Sequence, residues 1–257
     1  MKIFITHYSP LKERMAHIKN LLKELNMEGE FIKDFDRELI NLNDKRFIQK
    51  KITWYKQLKA IKIILIGNIL YNKKTNFSRK IYWLFCYILN KFFTPRGFKF
   101  RKLSLAEISL TLKHYIALKK IENSNEPGLI IEDDVILKPE TKILLKKAFI
   151  LCKNNFDFID LGGGCDLPLF KDEKFFKEDN RFFILKIPRS RTTAAYMINP
   201  KTASKIANEL FPIVMPIDWQ YQFIFLKYNF KVLWSLPPAF IHGSIENKDI
   251  FKSSIQE

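Results

Sequence analysis

Three consecutive carboxylates, Glu132-Asp133-Asp134, follow directly on the apolar run Leu129-Ile130-Ile131. An apolar run of this length after Gly128 reads as a strand buried on both faces, as in sheets covered by helices. Adjacent like charges raise one another's pKa, so a buried strand end is a costly place for three of them. In open α/β sheets, ligands bind beyond the carboxyl ends of the strands. A divalent cation there, Mg²⁺ or Mn²⁺, would offset the repulsion, because carboxylate oxygens suit both ions. The alternative reading is a solvated acidic turn ahead of Val135.

The flanking pattern agrees with an α/β chain. Lys2-Ile3-Phe4-Ile5-Thr6 reads as a short buried strand. Ser9-Pro10 predicts a helix start, with Ser as N-cap and Pro at the first helical position. Leu11, Met15, Ile18, Leu22 and Leu25 then recur at helical spacing. A second strand near 30–33, ending at Asp34-Phe35-Asp36, completes a βαβ unit with a parallel pair. Helices are expected over 104–122, 139–152, 201–210 and 218–228. Strands are expected over 128–131, 156–161, 182–187, 194–198 and 231–236. This alternation predicts a mostly parallel sheet flanked by helices. The 257 residues suit one large domain, and no Pro/Gly/Ser-rich linker divides them.

The formal net charge of +17 is concentrated in one segment. Residues 45–102 hold 16 Lys and Arg and no acid, whereas the rest of the chain carries 28 basic and 27 acidic residues. We read 45–102 as a basic, largely helical insertion within the domain. Trp54, Leu58, Ile61, Leu65 and Ile69 would share one helical face, and Trp83, Phe85, Phe92 and Phe93 lie near Lys80, Lys91 and Arg96. Its apolar runs are too short to span a bilayer, so docking on an anionic membrane surface is expected. The same strip also admits a nucleic-acid-binding protein, or a metal nuclease using the same carboxylates. Runs 61–70 and 81–89 are too apolar for a solvated groove, so no nucleic-acid partner is expected. Cys86, Cys152 and Cys165 form no C-x-x-C, and neither a disulfide framework nor a zinc site is indicated. The N-terminus lacks a signal-peptide pattern. The expected location is cytoplasmic, peripheral on the membrane.

Four patches, in order, resemble glycosyltransferase family 25, the bacterial lipopolysaccharide and lipo-oligosaccharide biosynthesis family. They are Lys2-Ile3-Phe4-Ile5-Thr6 with Lys12-Glu13-Arg14; Phe31-Ile32-Lys33-Asp34-Phe35-Asp36; the 106–114 helix, ending in His114, with 128–137; and Thr192-Thr193-Ala194-Ala195-Tyr196 with Pro216-Ile217-Asp218-Trp219. His7-Tyr8-Ser9 replaces the family's usual Asn-Leu-Asp-like loop. The resemblance implies a GT-A type nucleotide-diphospho-sugar transferase fold, an inverting mechanism, a nucleotide-sugar donor (often UDP-galactose) and a glycan acceptor that is lipid-linked. The rival within the family is a catalytically inactive member serving as a binding subunit.

Under that resemblance, Asp134 is the first choice for a direct metal ligand, and His242, in Phe240-Ile241-His242-Gly243, is the second. Glu132 and Asp133 are expected to contact ribose or a metal-bound water. Arg14 is the candidate for the diphosphate and Asp36 for the nucleoside. Thr193 and Tyr196 are expected to line the sugar pocket. Asp218 is the candidate general base, beside Trp219 as a face for a sugar ring. Each has a plainer alternative: Asp218 as a helix N-cap, His242 as an ordinary strand-end histidine, Arg14 and Asp36 as surface charges.

Overall fold

A computed structural model describes residues 1–41, 77, 81, 103–163, 169, 173–177, 179–211, 213, 216–246 and 251. Apart from Phe77 and Ile81, the basic segment 45–102 lies outside the described residues, as does Gly164 of the Gly162-Gly163-Gly164 run.

The first strand, β1 (Lys2–Thr6), leads into α1 (Lys12–Leu25) and returns as β2 (Glu30–Ile32), which pairs parallel to β1. The βαβ unit is therefore present. Its helix starts later than Ser9-Pro10 suggested. Leu11 occupies the N-cap position, with no side-chain cap. The reason lies in the preceding loop, whose amides serve other groups. Tyr8 N–H donates to Asp133 Oδ2 at 3.2 Å, and Ser9 N–H donates to Asp36 Oδ1 at 3.4 Å. The chain turns through Tyr8–Leu11 before the helix can begin.

Helix α2 (Leu105–Glu122) opens with a reciprocal capping box between Ser104 and Glu107. It leads to β3 (Gly128–Glu132), which lies parallel to β1, and then to the short β4 (Val135–Leu137). There follow α3 (Thr141–Asn154), β5 (Phe158–Asp160), β6 (Lys174–Phe176), β7 (Asp179–Ile184), β8 (Ala195–Ile198), α4 (Pro200–Glu209), α5 (Ile217–Tyr228), β9 (Val232–Ser235), β10 (Phe240–His242) and the short α6 (Gly243–Glu246).

The main sheet runs β2-β1-β3-β8-β5-β9-β7-β6. It is mixed rather than mostly parallel. β8 lies antiparallel to both β3 and β5, and β7 lies antiparallel to β9 and β6. The reversal of β8 matters for the site. It brings the entrance of that strand to the edge where β1 and β3 end, and Glu132 N–H donates there to the Ala194 carbonyl at 2.8 Å.

Alternation along the strands divides the core in two. Ile3, Ile5, Leu129, Ile131, Ala195 and Met197 pack with α1 and α3 residues such as Ile18 and Leu144. Phe4, Ile130, Tyr196 and Ile198 pack with Leu118, Ile206 and Tyr221 of α2, α4 and α5. Truncating one such isoleucine to alanine costs about 2–5 kcal/mol. Among the described residues, no helix is long and apolar enough to cross a membrane.

Candidate active site

Thr6 and Glu132 lie opposite each other where β1 and β3 end, so the acidic triplet opens beyond the sheet. All three carboxylates are buried, and each meets different partners.

Asp133 is held by the β1–α1 segment. Its Oδ2 lies 2.8 Å from His7 Nδ1 and accepts the Tyr8 amide, while its Oδ1 accepts from Arg14 Nη1 at 2.9 Å. Arg14 and Asp133, both expected to meet the donor, are thus paired with each other. Arg14 also lies 4.0 Å from Asp134 Oδ2.

Glu132 uses its two oxygens differently. Oε1 accepts from Thr193 Oγ1 at 2.7 Å and faces His114 Nε2 at 3.7 Å. Oε2 turns toward His242 Nε2, 3.9 Å away. Burial works to raise the Glu132 pKa, but the imidazoles of His114 and His242 and the Thr193 hydroxyl outweigh it and hold the group at about 2.

Asp134 Oδ2 lies 3.4 Å from His242 Nδ1, whereas Oδ1 is buried with no hydrogen-bond partner. Burial pushes the Asp134 carboxyl above its ordinary range, the charge of Glu132 adds to this, and His242 opposes it.

His242 reaches this place through the β4–β10 ladder. The two strands pair antiparallel with His242 opposite Val135, and Gly243 N–H donates to the Asp134 carbonyl at 2.9 Å. A Cβ on residue 243 would stand 2.3 Å from that carbonyl oxygen and 2.6 Å from the Phe251 ring. Glycine is required here by the close approach of Asp134 and Phe251.

Glu132, Asp134 and His242 each offer one ligand atom, and these atoms lie within 4.8 Å of one another. Two carboxylates and an imidazole fit Mn²⁺ well and Mg²⁺ acceptably. The buried, unpartnered Asp134 Oδ1 is the kind of atom a cation would satisfy. The geometry therefore brings Glu132 into the group expected from Asp134 and His242.

Two hollows meet at this cluster, both open to solvent. The first is bordered by Thr6, Tyr8, Arg14, Arg37 and Lys113, the second by Glu107, Thr193, Asp218 and Trp219. Leu110, Glu132 and His242 border both. The first hollow sets Arg14, Arg37 and Lys113 against Glu132, Asp133 and Asp134, whereas the second, among the described residues, carries Glu107, Glu132 and Asp218 and no lysine or arginine.

Asp36 is not at the rim of either hollow. Its carboxylate accepts from Lys113 Nζ at 2.6 Å. Burial works to raise its pKa, but the lysine and Ser9 hold it below the ordinary range. Asp36 thereby fixes Lys113, which does border the first hollow. Tyr196 is fully buried on the α2/α5 side of the sheet, away from both hollows, and its hydroxyl meets His114 Nδ1 at 2.9 Å and Tyr221 Oη at 2.8 Å. The strand alternation that sends Ala195 and Met197 to one face sends Tyr196 to the other.

Asp218 stands in the first turn of α5, after Pro216 at the N-cap position. It is half-buried, with Oδ1 accepting from the Trp219 amide at 2.9 Å. Surrounding protein pushes its pKa up to about 6; the Trp219 amide opposes this and the charge of Glu132 reinforces it. The Trp219 side chain is exposed, at 42%.

Several residues at the cleft were not singled out from sequence: His7, Arg37, Lys113, Glu107 and Ser244. One signal was available. Ala106, Ser109, Leu110 and Lys113 recur at helical spacing and form the stripe of α2 that borders the first hollow.

A cleft at strand ends with a carboxylate–imidazole cluster suits a group-transfer enzyme, and comparison with known families gives its class: the chain is a glycosyltransferase. It belongs to glycosyltransferase family 25 (LPS biosynthesis protein), whose model matches residues 1–220. That match takes in the acidic triplet and Asp218, while His242 lies beyond it. No curated protein matches the chain.

Proposed function

We propose that this chain is an inverting, divalent-cation-dependent glycosyltransferase of GT-A type. It transfers a hexose, galactose from UDP-galactose, to a lipo-oligosaccharide or related lipid-linked glycan. The supporting observation is the Glu132–Asp134–His242 cluster at the junction of two hollows, one of which holds Arg14, Arg37 and Lys113. Family membership supports the donor class and the inverting course.

In this reading Asp134, His242 and Glu132 would hold Mn²⁺ or Mg²⁺. A cation so held would supply positive charge against the leaving diphosphate. Arg14, oriented by Asp133, and Lys113, oriented by Asp36, keep positive charge at the donor hollow. Thr193 orients Glu132. On the acidic side, Trp219 offers its face to an acceptor sugar ring. Asp218 takes the proton of the acceptor hydroxyl as that oxygen bonds to the anomeric carbon and the bond to the nucleoside diphosphate breaks. Glu107, Glu132 and Asp218 border the second hollow, which disfavours an anionic group on the acceptor sugar where it enters.

The chain acts as one catalytic domain, with 45–102 as an insertion that docks it on the cytoplasmic face of an anionic membrane. Thermal-shift measurements against a panel of nucleotide sugars, with and without Mn²⁺, test the core of this reading. Stabilisation by one UDP-sugar only when Mn²⁺ is present is expected. Equal stabilisation without the cation would overturn the cation-dependent mechanism.

A further inference from the structure

A line of buried polar groups runs from α5 to the back of the cluster. Tyr221 Oη and Tyr196 Oη are 2.8 Å apart, Tyr196 Oη and His114 Nδ1 are 2.9 Å apart, and His114 Nε2 stands 3.7 Å from Glu132 Oε1. All three side chains are fully buried. His114 Nε2 has no hydrogen-bond partner, so the atom it faces is the Glu132 carboxylate. Buried polar groups are costly unless they are satisfied, and a connected set deep in a core restricts its members to few arrangements.

The direction of these bonds follows from their ends. If His114 Nδ1 carried the proton of a neutral ring, the lone pair on Nε2 would face a carboxylate. That arrangement is repulsive. In the opposite sense, Tyr221 donates to Tyr196, Tyr196 donates to Nδ1, and Nε2–H points at Glu132. Burial raises the pKa of both tyrosines, which keeps both hydroxyls protonated as donors. Glu132 Oε1 then accepts from the Thr193 hydroxyl and faces Nε2–H across 3.7 Å, and Oε2 is left toward His242 and the cluster.

We propose that Tyr221, Tyr196 and His114 form a positioning relay that fixes His114 as the Nε2–H tautomer and so presents Glu132 Oε2 to a bound cation. Tyr221 shares α5 with Asp218, so the relay also ties the helix bearing the proposed base to the cation cluster. The proposal rests on the cation reading above. Groups behind the ligands of a metal typically affect its affinity by about 10–100-fold.

The test uses the full chain, with Mn²⁺ titrated calorimetrically in the absence of donor. Tyr196→Phe removes one hydroxyl, and both of its hydrogen bonds, without changing the ring. It should weaken Mn²⁺ binding by about 10–100-fold while circular dichroism stays unchanged. His114→Gln keeps an amide donor and should retain more affinity than His114→Leu. Wild-type affinity in both Tyr196→Phe and His114→Leu would overturn the relay while leaving the cation reading standing. A wild-type chain that binds no Mn²⁺ would overturn the cation reading itself. Nitrogen-15 NMR of the metal-free protein reads the relay independently of the cation. His114 should be the Nε2–H tautomer in the wild type, the sense set by the Glu132 carboxylate that it faces. An Nδ1–H tautomer in the wild type would overturn the proposal.

Discussion

Arg14 Nη1 donates to Asp133 Oδ1 at 2.9 Å, and both side chains are buried. Removing one member of such a pair costs about 3–5 kcal/mol when the other charge is left uncompensated. Arg14 keeps Asp134 Oδ2 at 4.0 Å, so Asp133→Ala should destabilise the fold by less than that in urea denaturation. It also releases the β1–α1 loop, because the Tyr8 amide loses its acceptor.

Asp134→Ala should behave in the opposite way. Its carboxylate is buried, near Glu132, and has one unpartnered oxygen. Removing it relieves repulsion, so thermal stability should hold or rise without cation. Transfer and Mn²⁺-dependent donor binding should both be lost. Full activity of this variant, or of the wild type in excess chelator, would refute the assigned role.

Asp218 carries a pH signature. Its folded-state pKa is raised to about 6, so the carboxylate is ionised only above that pH. The transfer rate should climb as pH rises through about 6 and then level off. Stability runs the other way: the contribution of this raised carboxyl is full below its unfolded pKa and lost as pH rises through about 6. Asp218→Asn should be at least as stable as wild type at neutral pH, bind donor normally and lose about 10²–10⁴-fold in rate. Collapse of donor affinity with an intact rate would make Asp218 a binding residue.

Gly243→Ala should weaken Mn²⁺ binding without altering any proposed ligand. The added methyl would fall 2.3 Å from the Asp134 carbonyl oxygen, so β10 must shift and carry His242 with it. Forcing an extra methyl into such a contact costs about 1–3 kcal/mol. Unchanged Mn²⁺ affinity, measured by calorimetry, would show that His242 is not a ligand.

The basic segment makes a separate prediction. With 16 Lys and Arg and no acid over 45–102, the chain should sediment with anionic liposomes and be released by salt. A chain shortened in that segment should not sediment. Equal recovery in the supernatant with neutral and anionic liposomes at low salt would rule out membrane docking.

Much of the scaffold could be read from the residues because buried strands and amphipathic helices leave periodic traces. Lys2–Thr6, the α1 stripe and the apolar run before Glu132 are of this kind. The direction of β8 was not legible, since alternation has the same period in parallel and antiparallel strands. The strands β4 and β10 span three residues each, too short to show any period. Asp36 looks the same in sequence whether it meets a ribose or Lys113, because its partner lies far along the chain. Tyr196 shows the same difficulty. A tyrosine in a buried strand is readable, but the histidine and second tyrosine that satisfy its hydroxyl come from two different helices.

The β4–β10 ladder has a kinetic consequence. Asp134 and His242 are far apart in sequence, and contacts of that separation are slow to form. The cluster cannot close until β10 docks against β4. A cation held from both strands would grip only the closed ladder. Where that ladder is unformed in the folding transition state, such an interaction stabilises the native state alone. Mn²⁺ should therefore slow unfolding far more than it speeds refolding, and the protein's lifetime rather than its folding rate would report the ion.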